Sequence, residues 1–145
     1  MRIVRTNPNA IIPARSTKDS AGYDLYACIP ETITIFPGQK LMIGTGIRMA
    51  IPSGYFGGIY ARSGLSVKHG IRPATCVSVI DSDYRGEVFV PLLNEGEHSY
   101  EIHPGDRIAQ IVFQKYGVFE MEEVEDLDST DRGSGGFGST GKNDN

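Results

Sequence analysis

The sequence predicts an all-β fold, a jelly-roll-like β-barrel with one short helix and a mobile glycine-rich C-terminal arm. Apolar residues alternate with other residues in several runs, which is the spacing of a strand with one buried face. Clusters of Gly, Pro, Asp and Asn separate these runs and are typical of turns. With 145 residues, the chain is long enough for one domain with a sizeable core and too short for two ordinary ones.

At least six strands are expected, and the longest covers residues 41–51, where every second residue is apolar or β-branched and two glycines allow a bend. The other alternating runs cover residues 32–36, 55–60, 77–80, 88–93 and 107–116. One helical turn is expected over residues 63–69, with Ser63 as its N-cap. This helix is too short to cross between parallel strands, so the pattern favours a barrel or jelly roll over a βαβ architecture.

Composition and charge exclude several classes of function. The chain has 39% hydrophobic and 22% charged residues, and no apolar run approaches the roughly 20 residues of a membrane-spanning helix. Because the first residues also lack the uncharged core of a signal peptide, we expect a cytoplasmic protein with no membrane partner. Cys28 and Cys76 are expected to be reduced thiols.

The charges are distributed unevenly along the chain. Residues 120–145 hold eight acidic and two basic residues, a net charge of −6, whereas the preceding residues hold ten acidic and 12 basic ones. The body of the protein is therefore nearly neutral and has no basic stripe, so a nucleic-acid polymer is not an expected partner. We expect a β domain over residues 1–119, followed over residues 120–145 by an acidic linker and a flexible arm.

The arm contains residues suited to a nucleotide. Arg132 offers a charged fork for phosphate, Phe137 an aromatic surface for a ring, and Ser139 a hydroxyl among glycines whose N–H groups can bind anions. These residues favour a segment that closes over a nucleotide, whereas the glycine content alone is also typical of a linker without a role. The twelve residue-to-residue spacings from Glu120 to Arg132 span up to about 40 Å when extended, so the arm could reach a neighbouring subunit.

Two internal segments place polar residues where phosphate chemistry needs them. ARSGLS (61–66) opens the predicted helix, where free N–H groups would face an anion beside Arg62; a simple capped helix start is the alternative. VIDSDYRG (79–86) places Asp81 directly after two β-branched residues. We expect its carboxylate at the end of a buried strand, where its pKa can be tuned for a base. Asp83 and Arg85 are expected to pair across this turn.

Two more segments contain single polar groups within apolar strands, namely Asp24 in AGYDLYA (21–27) and Gln110 in GDRIAQIVF (105–113). Together with RGSGGFGSTG (132–141), the five segments resemble, in order, the five motifs of the trimeric dUTP diphosphatase (dUTPase) family. The resemblance implies a jelly-roll homotrimer with active sites shared between subunits and an arm that closes over a neighbour's site. It also implies hydrolysis of dUTP to dUMP and pyrophosphate, which limits uracil incorporation into DNA and supplies dUMP for dTMP synthesis.

The resemblance implies a role for each matched residue. Asp81 is the expected general base, which activates water for attack on the α-phosphorus, and Asp24 is expected to hold Mg²⁺ through water. Tyr84 would lie against the deoxyribose and exclude UTP, while main-chain groups of the hairpin recognise uracil. The expected substrate-binding residues are Arg62, Ser63, Gly64, Thr75, Val79, Ile80, Asp81, Tyr84, Phe89, Gln110, Arg132, Phe137, Gly138 and Ser139.

Two positions depart from the commonest family pattern: Ser78 stands where Gly is usual, and Thr75 stands where many bacterial members have Asn. One alternative is a dCTP deaminase of the same fold, including the bifunctional form, which lacks the complete arm and uses a glutamate base. A second alternative is a non-catalytic nucleotide-binding regulatory trimer. A zinc-dependent deaminase is excluded, because the chain has no HxE followed by PCxxC and its three histidines are expected at the surface.

Overall fold

The computed structural model describes residues 1–136, which are nearly all-β with one short helix, as the alternation predicts. The helix α1 (Ser63–His69) lies between β6 and β7. No helix in this part of the chain is long and apolar enough to cross a membrane. The strands are β1 (Arg2–Arg5), β2 (Tyr23–Tyr26), β3 (Ile33–Ile35), β4 (Lys40–Gly44), β5 (Ile47–Ala50), β6 (Tyr55–Tyr60), β7 (Ile71–Pro73), β8 (Ser78–Ile80), β9 (Phe89–Asn94), β10 (Tyr100–Ile102) and β11 (Arg107–Lys115).

The strands pair antiparallel in four sheets, in the orders β2-β11-β6-β8, β4-β9-β7, β1-β5 and β10-β3. The expected jelly-roll-like class is confirmed, although the sheets over residues 1–136 do not close into one continuous barrel. Apolar side chains from the sheets meet in one core. Its largest fully buried members are Leu25, Ile35, Ile43, Ile47, Ile59, Ile71, Val88, Val90, Leu92, Ile102, Ile108 and Ile111.

The expected long strand over residues 41–51 is in fact two strands, β4 and β5. Gly46 has a φ of 65°, a left-handed conformation that a strand does not continue, and it separates the two. The alternation itself is correct, because Ile43 and Ile47 are buried in the core while Arg48 is exposed. The sequence pattern therefore identified the buried face but not the break.

The expected helix is confirmed over Ser63–His69, but its N-cap is Arg62 and no side-chain hydrogen bond caps it. Ser63 is the first helical residue and is exposed, so its expected capping role is wrong. Sequence reasoning also missed β1, β7 and β10, which have three or four residues each. Runs this short do not establish a period of two.

The last strand ends at Lys115, and residues 116–136 form no helix or strand. All of these residues are exposed, including the apolar side chains of Val118, Phe119, Met121 and Leu127. The boundary between a domain of residues 1–119 and an arm of residues 120–145 stays a prediction.

Candidate active site

Three strands of the largest sheet place the polar side chains of the candidate site on one face. Gln110 on β11 lies directly opposite Asp24 on β2 and Tyr60 on β6. Residues opposite each other in a sheet project from the same face, so Asp24 and Gln110 share this face. Arg62 follows two residues after Tyr60, where the chain turns from β6 into α1.

Asp24 is a buried carboxylate with three partners. Its Oδ1 lies 3.0 Å from Arg62 Nε, and its Oδ2 lies 3.3 Å from Arg107 Nη1. The Ser16 hydroxyl also donates a hydrogen bond of 3.0 Å to Oδ2. Burial of a charge is costly unless it is paired, and these charge-assisted contacts satisfy the carboxylate. Sequence reasoning gave Arg107 and Ser16 no role in the site.

The guanidinium of Arg62 is held at two of its nitrogen atoms. Nε contacts the Asp24 carboxylate, and Nη1 donates a 3.0 Å hydrogen bond to the main-chain oxygen of Arg107. A guanidinium has five N–H donors in a fixed plane, so these contacts fix its orientation and leave three donors for a ligand. Arg62 is thus preorganised for the oxygen atoms of a phosphate group.

Arg62 also lines a cavity of about 340 Å³ together with Gly64, Lys68, Arg107 and Tyr100, among others. Burial and the nearby Asp106 carboxylate raise the pKa of Tyr100 above its usual value, against the opposing effect of Arg62. The cavity is lined by three cationic side chains and by one carboxylate, that of Asp106, and this excess of positive charge is suited to a polyanionic ligand.

The predicted phosphate-binding residues at the start of α1 are accessible. Ser63 and Gly64 are both exposed, and a Cβ added to Gly64 would meet no atom within 4 Å. The open space beside Gly64 allows a ligand to approach the backbone closely. The structure thus places Arg62, Ser63 and Gly64 next to one another and close to Asp24 and Gln110.

Asp81 lies in a different place. It is exposed and lines a shallow cavity of about 320 Å³ with Phe56, Val79 and Tyr116. The expectation that it follows a buried strand is wrong, because β8 is the edge strand of its sheet and Val79 is 58% exposed. Phe56 and Tyr116 were not expected at this site, since nothing in the sequence relates them to the hairpin.

The hairpin brings three predicted residues together. Ile80, Tyr84 and Phe89 line one open cavity of about 340 Å³. The Tyr84 hydroxyl donates a 2.9 Å hydrogen bond to the main-chain oxygen of Glu87, which fixes the ring. The expected pair of Asp83 and Arg85 is wrong.

Arg85 instead stabilises the turn by hydrogen bonds to main-chain oxygen atoms. Its Nη1 donates to Ser82 O at 2.7 Å and to Tyr84 O at 2.8 Å. The carbonyl groups of a turn lack partners within a sheet, which makes them available acceptors for this guanidinium.

The two residues that depart from the family pattern contact each other. The hydroxyl oxygens of Thr75 and Ser78 are 2.5 Å apart, so one hydroxyl donates to the other. The side chain of Ser78 is half-buried, whereas Thr75 is exposed. The two hydroxyls therefore pair with each other at the start of β8.

Within residues 1–136, the predicted site residues form two separate groups. No residue lines both the cavity beside Arg62 and the cavity beside Asp81. Arg132 is exposed in the C-terminal segment. Phe137, Gly138 and Ser139 lie outside the described residues. His69, His98 and His103 are exposed, as expected, and Cys28 and Cys76 are free thiols.

Comparison with known proteins decides the family, because the dUTPase family model matches residues 8–141. The chain belongs to the dUTPase family. A deoxyuridine 5′-triphosphate nucleotidohydrolase of Wolinella succinogenes is 46% identical over 142 residues, which cover 98% of this dUTPase and 94% of the relative. This dUTPase is therefore a dUTP nucleotidohydrolase, as the five motifs predict, and the dCTP deaminase alternative is set aside.

Solved dUTPase structures share the fold. The dUTPase of Staphylococcus bacteriophage 80alpha with dUpNHpp has a TM-score of 0.88 and 30% identity, with 97% of each chain covered. A mutant dUTPase from phage phi11 of S. aureus, described with the coordination of a structural Mg(II) ion, has a TM-score of 0.79 and 27% identity. That match covers 88% of this dUTPase and 98% of the phage chain.

Proposed function

We propose that this dUTPase hydrolyses dUTP to dUMP and pyrophosphate at active sites shared between the subunits of a homotrimer. The separation of the Arg62 group from the Asp81 group within one chain is the observation that supports this proposal. One group offers donors for phosphate, and the other offers a carboxylate and aromatic surfaces. A neighbouring subunit would complete each site by bringing its Asp81 hairpin to the Arg62 group.

The surface of one subunit is consistent with such an assembly. On the outward face of the largest sheet, Gly58 lies opposite both Val112 and Val79. The next pair along, Ile59 and Ile111, faces the core. The outward face is therefore apolar at its centre, where Val79 is exposed. An exposed apolar surface of this kind is suited to an interface with a neighbouring subunit.

We assign the phosphate contacts to Arg62, Ser63, Gly64 and Gln110, and base catalysis to Asp81. The Asp81 carboxylate would take a proton from a water molecule as the water oxygen bonds to the α-phosphorus. The bond from the α-phosphorus to its bridging oxygen breaks, and pyrophosphate leaves with the bonding electrons. Arg62 would stabilise the negative charge that develops on the phosphate oxygens.

Asp24 suits a water-mediated contact with Mg²⁺ better than direct coordination. Both carboxylate oxygens already contact arginine or hydroxyl groups, and residues 1–136 contain no cluster of three His, Cys, Asp or Glu that could hold a metal ion. Mg²⁺ keeps several waters and is held mainly by substrate phosphates in such sites. Asp24 would thus hold the ion through water, and bound Mg²⁺ would neutralise charge on the triphosphate.

Substrate specificity is assigned to the hairpin. The Tyr84 ring, fixed by its bond to Glu87, would contact the deoxyribose and leave no room for a 2′-hydroxyl. Main-chain groups near Thr75, Val79, Ile80 and Phe89 would pair with uracil, and cytosine would leave buried polar groups unpaired.

The arm would close over the completed site through Arg132, Phe137, Gly138 and Ser139. Arg132 would contribute a further charge for the phosphates, and the Phe137 ring a stacking surface for the base. We assign the enzyme to the cytoplasm, where it would limit uracil incorporation into DNA and supply dUMP.

Mixed trimers test the shared site. Asp81→Asn and Arg62→Ala are expected to be folded and nearly inactive alone, with folding checked by circular dichroism. After the two are unfolded and refolded together, random assembly places an intact Asp81 hairpin against an intact Arg62 in about a quarter of the sites. Activity should return to a similar fraction of wild type. No recovery in trimers that mass spectrometry shows to be mixed would place both groups of each site in one subunit.

A further inference from the structure

We propose that Gly22 is a positioning residue for Gln110. The absence of a side chain at Gly22 allows the Gln110 carboxamide to lie against the start of β2 and to present a fixed donor to the phosphates. This inference rests on the proposed role of Gln110 in phosphate binding.

The carboxamide of Gln110 has a defined orientation. Its Nε2 donates a 2.9 Å hydrogen bond to the main-chain oxygen of Ala61, the residue before Arg62. Only the NH₂ end of an amide can donate to a carbonyl, so the contact also fixes the position of Oε1. The side chain thus links β11 to the turn that carries Arg62.

Gly22 occupies the place where Oε1 lies. A Cβ added to Gly22 would overlap Gln110 Oε1 and would lie 3.0 Å from Gln110 Cδ and 3.2 Å from Gln110 Cβ. The backbone of Gly22 does not require glycine, because its φ is not in the left-handed range. The space that Gln110 fills, and not the backbone conformation, therefore explains glycine at this position.

The contact determines which atoms of Gln110 can meet a ligand. One N–H of Nε2 donates to Ala61 O and Oε1 faces Gly22, so the second N–H is the donor that no group in residues 1–136 uses. A methyl group at residue 22 would displace the carboxamide, break the bond to Ala61 and move that donor. Because the far end of Gln110 is flexible, the protein should accommodate this change without unfolding.

Four variants test the proposal in a double-mutant cycle: Gly22→Ala, Gln110→Ala, the two together, and Ala21→Ser as a matched control. Ala21→Ser adds one atom to the adjacent, exposed residue. Gly22→Ala is expected to lower kcat for dUTP by about ten- to a hundredfold with KM changed only a few-fold, as expected for a misplaced group. In the Gln110→Ala background, Gly22→Ala should have no further effect on kcat. Ala21→Ser should behave as wild type.

An NMR measurement tests the contact without activity. The side-chain amide signals of Gln110, assigned by their loss in Gln110→Ala, should show one protected N–H in the wild type. Gly22→Ala should remove this protection, whereas Ala21→Ser should not.

Four results would overturn the proposal. Wild-type kcat in Gly22→Ala, or two unprotected N–H signals in the wild type, would contradict the positioning role alone. Equal losses of kcat from Gly22→Ala in both backgrounds would show that Gly22 acts through another group. Wild-type kcat in Gln110→Ala would contradict the role assigned to Gln110 itself, and with it this inference.

Discussion

Asp24 Oδ1 accepts a charge-assisted hydrogen bond of 3.0 Å from Nε of Arg62. Residues from two strands of the sheet, Asp24 on β2 and Arg107 on β11, therefore fix the guanidinium of Arg62, the residue before α1. The short helix does not have to orient Arg62 by itself. Any ligand that contacts Arg62 meets a cation whose charge is partly balanced by Asp24 and whose free donors have a set direction.

Asp81→Asn tests the general base. We expect kcat for dUTP to fall by roughly two or more orders of magnitude, because the amide cannot accept the proton of water. Affinity for dUpNHpp, measured by calorimetry, should stay within a few-fold of wild type. Asp83→Asn is the matched control, since Asp83 is also exposed in the same turn and forms no pair with Arg85. Substantial turnover by Asp81→Asn would remove Asp81 from this role.

Truncation after Asp131 tests the arm. The remaining residues contain every strand and the helix that the structure describes in residues 1–136, so the shortened protein should keep its thermal stability and its oligomeric state. Its kcat/KM for dUTP should fall by about two orders of magnitude or more, since the arm supplies contacts made only in the closed site. A truncated enzyme with full activity would contradict the closing role.

Tyr84→Ala tests discrimination against ribose. Loss of the ring removes a steric barrier to the 2′-hydroxyl of UTP. The ratio of kcat/KM for dUTP to kcat/KM for UTP should therefore fall by about tenfold or more. Tyr84→Phe keeps the ring and loses only the hydrogen bond to Glu87, so it should change the ratio less. Equal ratios in Tyr84→Ala and wild type would assign sugar discrimination to another part of the site.

The hydroxyl pair of Thr75 and Ser78 leads to a prediction about base selectivity. Thr75→Val frees the Ser78 hydroxyl to pair with the amino group of cytosine, so dUTP preference over dCTP should fall several-fold, as one hydrogen bond of about 1 kcal/mol implies. Thr75→Val combined with Ser78→Gly should restore the preference, and competition assays with both nucleotides measure it. No change in Thr75→Val would show that this pair does not affect base recognition.

Alternation along the chain predicted the fold class and the buried face of β5 correctly, and it fixed both bounds of β6. It did not show the break at Gly46, because the φ of a glycine is not visible in its sequence context. It also treated Val79 and Ile80 as a buried strand. β-branched residues favour strands at the edge and at the centre of a sheet alike, and only the pairing order shows that β8 is an edge.

The motifs identified Arg62, Asp24 and Gln110, and the structure places these three side chains close together. The contacts that hold them were not predictable. Arg107 and Asp24 are 83 positions apart, and a pair this distant is visible only once β11 lies beside β2. Gly22 lies in the AGYDLYA segment (21–27), yet its relation to Gln110 depends on the same strand pairing.

Hydrolysis of dUTP in ¹⁸O-labelled water tests the central claim most directly. The enzyme would be incubated with Mg²⁺ and equal amounts of dUTP, dCTP, dTTP and UTP, and the products would be analysed by mass spectrometry. The assigned specificity predicts that dUTP alone is consumed. Water attack on the α-phosphorus predicts that the label appears in dUMP and not in pyrophosphate. Label in pyrophosphate would place the attack on the β-phosphorus, and consumption of dCTP or UTP at a comparable rate would contradict the assigned specificity.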